Sequence, residues 1–396
     1  MILADRVANL KPSATLAISA LAQELKAKGK TVMSLSIGEP DFPTPEHICR
    51  AAAKAIEDGY HRYTPVPGLP ELRSAVCAYF TRCYQVTPEN DNILVSNGGK
   101  HSLYTVIQTV INPGDQVLIP APYWVSYPPI VELAGGKPTI IPTSASKGFK
   151  LTVTDLERNF TPKAKALFLN SPSNPTGATY TAEELDAIAQ WAVNNNVLVI
   201  ADEIYDRLVY APATPLSLIG WWKKHPENFV IAGGVSKSFA MTGWRVGYTV
   251  ASVDLTKAMS RLQGQSTSNV CAVAQKAAEE ALKSDLAILD PMIQTFERRC
   301  NLAYEIISGW KDAICPKPEG AFYIFPDVSA YYNPKWPDSA ALCSTLLEEQ
   351  GVALVPGVAF GDDNCIRISY ATSDDVVEKA LTLVGKVLLR NRTISK

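Results

Sequence analysis

Nowhere does this chain approach the roughly 18 consecutive apolar residues that a bilayer-spanning helix requires, so the sequence predicts no membrane span. Nor do the first residues predict a secretory leader. Met1-Ile2-Leu3-Ala4-Asp5-Arg6 brings in an acidic group too early and has no long apolar core, which predicts a cytoplasmic protein. Nor does charge of one sign accumulate: 37 Lys+Arg against 39 Asp+Glu leave a formal net charge of -2. That balance gives neither a basic surface for nucleic acid nor an acidic disordered tail. Histidine is scarce, with four residues (His47, His61, His101, His225) far apart, and the eight cysteines (Cys49, Cys77, Cys83, Cys271, Cys300, Cys315, Cys343, Cys365) form no Cys-x-x-Cys pair. This spacing argues against a zinc site or a disulfide framework, and for cysteines that mostly serve as small core residues. A Gly-x-Gly-x-x-Gly turn after an early strand is also absent, which argues against a nicotinamide dehydrogenase.

What is present is an ordinary globular composition. The 396 residues are 47% hydrophobic and 19% charged, enough chain for a large domain and a smaller companion, each with its own core. Short apolar runs closed by polar residues, such as Ala166 to Leu169 and Val197 to Ala201, predict strands buried on both faces. Ile93 to Val95, Gln116 to Ile119, Phe229 to Ala232 and Gly247 to Val250 are further candidates. Between them lie helical patterns, for example Ala182 to Val193, with Thr181 as N-cap and Glu184 three residues on. Such alternation predicts an α/β fold with a mostly parallel sheet flanked by helices.

After about residue 285 a long helical pattern runs to about Trp310. Short strands near Ala321 to Phe325, Val352 to Val355 and Cys365 to Ser369 then alternate with helices. Together with an N-terminal helix from about Ser13 to Lys28 and a strand from Val32 to Ser36, they predict a smaller α+β domain built from both chain ends. The expected division is 1–45 for the N-terminal arm and first part of the small domain, 46–285 for the large domain, and 286–396 for the rest of the small one.

Chemistry concentrates in Ser236-Lys237-Ser238-Phe239-Ala240-Met241-Thr242-Gly243-Trp244-Arg245-Val246-Gly247, just past the apolar strand Phe229 to Ala232. A lysine beyond the carboxyl end of a parallel strand stands where α/β sheets place their ligands. Ser236 and the planar fork of Arg245 are suited to a phosphate. Gly98-Gly99-Lys100 opens a helix directly after Ile93-Leu94-Val95, and the free N–H groups of such a helix start form an anion site.

This segment resembles the cofactor-lysine motif of the fold-type I, class I pyridoxal-phosphate aminotransferases, closest to the bacterial aspartate aminotransferases. Further landmarks of that family stand in order: Ser36-Ile37-Gly38-Glu39-Pro40-Asp41-Phe42, Tyr63-Thr64-Pro65, Gly98-Gly99-Lys100, Pro122-Tyr123-Trp124, Asn170 through Gly177, Ala201-Asp202-Glu203-Ile204-Tyr205 and Arg367-Ile368-Ser369-Tyr370. The resemblance implies pyridoxal 5'-phosphate held by Lys237 as a Schiff base, with Asp202 on the pyridine nitrogen. It implies Tyr205 and Asn174 on the ring's phenolic oxygen and Trp124 stacked on the ring. Gly98, Gly99, Lys100, Ser236 and Arg245 would surround the phosphate, with Tyr63 reaching over from a neighbouring subunit, hence a homodimer with shared sites. Arg367 would clamp the α-carboxylate of an amino or 2-oxo acid, and Gly38 would leave room for it. Some relatives read a second carboxylate with an arginine from the partner subunit, but the corresponding stretch Gln265-Ser266-Thr267-Ser268-Asn269 has none. Lys11-Pro12-Ser13-Ala14-Thr15 instead resembles a bacterial subgroup's motif, which makes Lys11 the candidate for that contact. Aspartate and 2-oxoglutarate are the expected substrates. Prephenate, aromatic or alanine transamination and a lyase reaction on the same scaffold stay open.

Overall fold

The computed structural model describes residues 3–8, 10 and 14–392. Strands β1 to β12 are Met33–Ser34, Ile93–Ser96, Gln116–Ala121, Lys137–Pro142, Ala164–Asn170, Leu198–Asp202, Phe229–Gly234, Gly247–Val250, Tyr323–Ile324, Val352–Ala353, Val355–Pro356 and Ile366–Ser369. Seven of them make one sheet in the order β2-β8-β7-β6-β5-β3-β4. Alternate residues of its strands feed two separate cores: Leu167, Leu169, Val199 and Ala201 enter one, Ala166, Phe168 and Ile200 the other. This is why the runs are apolar without a break, since both faces of each strand lie under helices. The capping box predicted at Thr181 is present, with Thr181 N to Glu184 Oε2 at 2.8 Å and Glu184 N to Thr181 Oγ1 at 3.2 Å ahead of helix Ala182–Asn194.

One strand runs against the rest. β8 is antiparallel to both β2 and β7, so the sheet is mixed at that end. The smaller α+β body joins the two chain ends: β1 pairs in parallel with β10, while β11, β12 and β9 form an antiparallel sheet. The strands expected over 32–36 and 321–325 shrink to two residues each. Ala321 adopts a left-handed φ of 57°, which breaks the extended run before β9. Beyond β1 the backbone stays tied, with Leu35 N to Ala353 O at 2.9 Å and Ser369 N to Leu35 O at 2.8 Å. The expected helix to Trp310 is a short 3-10 turn, Leu286–Leu289, followed by helix Asp290–Ser308. Cys77, Cys300, Cys343 and Cys365 are buried, whereas Cys49 and Cys271 are exposed. Among the described residues no helix is long and apolar enough to cross a membrane.

Candidate active site

A cavity of about 500 Å³ opens at the carboxyl ends of β5, β6 and β7, between the large sheet and the smaller body. Of the residues singled out in the sequence, Gly38, Gly99, Lys100, Trp124, Asn174, Asp202, Tyr205, Ser236, Lys237, Arg245 and Arg367 line it. Gly98 sits just behind, as the N-cap of helix Gly99–Val110. Tyr63 stands away from this wall, 92% exposed, and Lys11 lies outside the described residues.

Lys237 leaves the loop after β7 and donates from Nζ to the Gly38 carbonyl at 2.6 Å. Its ammonium lies 5.9 Å from the Tyr205 ring centre and 5.8 Å from that of Phe322. Burial in this apolar setting lowers its pKa to about 8, with Glu39 opposing the shift and Arg367 and Arg245 adding to it. An amine so placed is neutral often enough near pH 7 to act as a nucleophile.

Asp202 closes β6 and is buried. Tyr127 Oη donates to its Oδ2 at 2.6 Å, and Ile204 N reaches Oδ1 at 3.3 Å. Burial nevertheless raises its carboxyl to about 6, because these bonds and the Lys237 charge only partly offset the lost hydration. A cation set against it would complete its ionisation. Tyr127 itself stacks on Phe168, with ring centres 4.3 Å apart, and meets Trp124 edge-on at 5.6 Å, which fixes the indole in the cavity wall.

At the end of the cavity beside Arg245, helix Gly99–Val110 starts directly after β2, and its first N–H groups have no acceptor within the helix. Glycine is required at both contacts for different reasons: Gly98 takes φ +85°, where L side chains are strained, and a Cβ on Gly247 would lie 2.5 Å from the backbone Gly99 N. Arg245, itself left-handed at φ 56°, is held by Nη1 to Thr242 O at 3.0 Å. Lys100 Nζ lies 5.0 Å over the Trp124 ring centre, its pKa lowered by burial and by Arg245.

On the opposite wall Arg367 is 2% exposed on β12. It donates to Ser36 O at 2.7 Å and to Asn174 Oδ1 at 3.2 Å, and its Nε has no acceptor among the described residues. These hydrogen-bond partners are an amide and a backbone carbonyl rather than a carboxylate, and burial lowers its pKa. A buried guanidinium without a counter-charge is costly, so an incoming carboxylate is the group that this wall lacks. Asn174, expected to face a ring oxygen, thus also holds the guanidinium.

Sequence reasoning did not single out Tyr127 or Tyr323. Tyr323, fully buried on β9, lines the cavity and shares a 3.0 Å hydroxyl contact with Tyr205. Both act on residues far away in sequence, and no local motif marks them. The groups present fit the pyridoxal phosphate that the resemblance implies: its aldehyde carbon would meet Lys237, its ring nitrogen Asp202, its phenolic oxygen Tyr205 and its phosphate the helix start. No set of His, Cys, Asp and Glu among the described residues could hold a metal ion.

The family described as "Aminotransferase class I and II" matches residues 30–384. The aspartate aminotransferase of Bacillus sp. (strain YM-2) is 43% identical over 386 residues, covering 97% of this chain and 98% of that protein. The aspartate/prephenate aminotransferase of Cereibacter sphaeroides is 43% identical over 389 residues, 96% of each. Among solved structures, the aspartate aminotransferase from Thermus thermophilus with maleate superposes with a TM-score of 0.93 at 38% identity, over 98% of this chain and 100% of that one.

Proposed function

Because the chain belongs to the class I and II aminotransferases, we propose that its cavity binds pyridoxal 5'-phosphate and carries the amino group of aspartate to 2-oxoglutarate, yielding oxaloacetate and glutamate. One observation carries this reading above the others: a buried arginine without a carboxylate shares the cavity with a lysine whose pKa burial lowers to about 8. The first is a receptor for a substrate carboxylate, the second a nucleophile that can also move protons.

When bound, pyridoxal phosphate supplies an electron sink for the substrate α-carbon. Lys237 would hold the cofactor at rest. Once its amine is free, Nζ would take the α-proton of the substrate and hold it for return, a task suited to a group titrating near the working pH. Asp202 would keep the ring nitrogen protonated, with Tyr127 fixing the carboxylate's orientation through its 2.6 Å bond. Tyr205 would donate to the ring oxygen and Trp124 would cover the ring face. Gly99, Ser236 and Arg245 would hold the phosphate, and Arg367 with Asn174 would orient the α-carboxylate so that the α-hydrogen faces Lys237. Closure of the smaller body, which carries Arg367 and Gly38, would exclude water.

For the second carboxylate of aspartate, Lys100 is the cavity cation left over once Lys237, Arg245 and Arg367 have the tasks above, and Lys11 remains the sequence candidate. The Thermus structure with maleate, a dicarboxylate, supports a site of this kind. Tyr63, an aromatic ring 92% exposed, is suited to the cavity of a second copy, and we assign the protein a homodimeric state. The division at residues 45 and 285 puts the cofactor groups on one domain and Arg367 on the other, and we keep it as part of this reading.

The test is the visible spectrum of the protein loaded with pyridoxal phosphate as aspartate, glutamate, alanine and phenylalanine are added in turn, with 2-oxo acid products identified. Bleaching by aspartate with formation of oxaloacetate is the expected result. The name of the Cereibacter relative favours prephenate as a second acceptor, to be tested with glutamate as donor. Product formation by elimination, without a 2-oxo acid matching the donor, would overturn the aminotransferase reading.

A further inference from the structure

Tyr323 belongs to the smaller body, yet it touches both halves of the cavity. β9 pairs with β12 so that Tyr323 faces Ser369, and Arg367, two residues before Ser369, lies on the same face of β12. The guanidinium consequently rests over the Tyr323 ring, 4.6 Å from its centre. The hydroxyl at the other end of that ring reaches across to Tyr205, at 3.0 Å between oxygens, and Tyr205 follows β6 of the large sheet. The backbone of Gly38 closes in on the same hydroxyl, since a Cβ there would stand 3.3 Å from it.

Each phenol has one proton. If Tyr205 gives its proton to the cofactor's ring oxygen, its own oxygen can only accept from Tyr323. The order Tyr323 to Tyr205 to ring oxygen is then the one arrangement that uses both protons. A cation over the ring makes the Tyr323 phenol a stronger donor, and Arg367 pulls its pKa down against the upward push of burial. Resting on the aminotransferase reading above, we propose that Tyr323 is a positioning residue with two separate tasks: its hydroxyl directs the Tyr205 proton toward the cofactor, and its ring face holds Arg367 for the substrate carboxylate.

The two tasks separate by substitution. Tyr323→Phe keeps the ring and removes only the hydroxyl. Its loaded form should show the pH midpoint of the visible band raised by about half to one unit, because the ring oxyanion loses the support of a strengthened hydrogen bond. Its kcat should fall about three- to tenfold with KM for aspartate within about twofold. Tyr323→Leu should add a further rise in KM of about three- to thirtyfold, since Arg367 loses its aromatic support. A Tyr323→Phe midpoint equal to that of the wild type overturns the hydroxyl's role. A Tyr323→Leu KM equal to that of Tyr323→Phe overturns the ring's role. Absence of a visible band in the wild type itself would remove the functional reading, and this proposal with it, before any variant is compared.

Discussion

Gly247, the first residue of β8, sets how closely that strand can approach the start of helix Gly99–Val110. A Cβ added there would lie 2.5 Å from Gly99 N and 2.6 Å from Gly98 C, where ordinary contact between carbon atoms needs about 3.5 Å. Both neighbours are backbone, so no rotamer change relieves the clash, and something must move by about an ångström. β8 cannot yield easily, because Gly247 is paired on both sides, with Ser96 of β2 and with Gly234 of β7. The helix start is therefore what shifts in Gly247→Ala, and its N–H groups lose their aim at the phosphate. A hydrogen bond to a charged group is worth about 1.5–3 kcal/mol, so losing two costs about 3–6 kcal/mol. At about 1.4 kcal/mol per factor of ten, the dissociation constant for pyridoxal phosphate should rise roughly 10² to 10⁴-fold. The assay is an absorbance titration of the apo-protein. Pyridoxal, which lacks the phosphate, should bind to Gly247→Ala and wild type alike. Gly243 lies in the same loop with nothing within 4 Å of a Cβ, so Gly243→Ala should bind the cofactor within about twofold of wild type. Cofactor affinity in Gly247→Ala within about threefold of wild type, or an equal deficit with pyridoxal, would refute the reasoning.

Asp202 has a folded pKa near 6, above its unfolded value, so the apo-protein binds the extra proton between about pH 4 and 6 and loses stability as pH rises through that window, by on the order of 3 kcal/mol. Denaturant unfolding of apo Asp202→Asn should lack that decline, and a slope equal to the wild type's would contradict the assignment. Lys237, with its pKa lowered to about 8, should be labelled in the apo-protein by a neutral acylating reagent at a rate that rises about tenfold per pH unit and levels off near pH 8. Peptide mass spectrometry finding the midpoint at the ordinary lysine value near 10.4 would refute it. Asp206 accepts from Tyr79 Oη, from Tyr84 Oη at 3.3 Å and from Ser238 Oγ at 3.3 Å, and pairs with Arg207 at 3.4 Å. Asp206→Ala leaves that guanidinium buried without a counter-charge and should cost about 3–5 kcal/mol in chemical denaturation, whereas a loss under 1 kcal/mol would deny the cluster its structural weight. Lys100→Ala should raise KM about tenfold for aspartate and glutamate but little for alanine, while an equal effect on all donors together with weaker cofactor binding would move Lys100 to the phosphate instead.

Much of the site could be read in the sequence because each of its elements has a local signature. A lysine past an apolar run, an aspartate closing another and a glycine pair opening a helix each stand in a short stretch that carries the family resemblance. Tyr127 and Tyr323 do not, since they act on Asp202 and Tyr205 across 75 and 118 positions of chain, and only the fold sets those distances. Strand direction was equally hidden: Gly247–Val250 reads as the same apolar run whichever way it points. The antiparallel course of β8 is nevertheless what brings Arg245 to the helix start. β7 finishes at Gly234 at the carboxyl edge, the loop with Lys237 and Arg245 stays there, and β8 then returns from that edge, so that Ser96, Gly234 and Gly247 stand level. Had the chain crossed over to make β8 parallel, Gly247 and Arg245 would enter the sheet from the opposite edge. A strand of four residues spans about 13 Å, so the guanidinium would then lie beyond reach of the Gly98-Gly99 helix start. The reversal of one short strand thus brings Arg245 and Gly247 to the cavity edge where Lys237 and the helix N-terminus already stand.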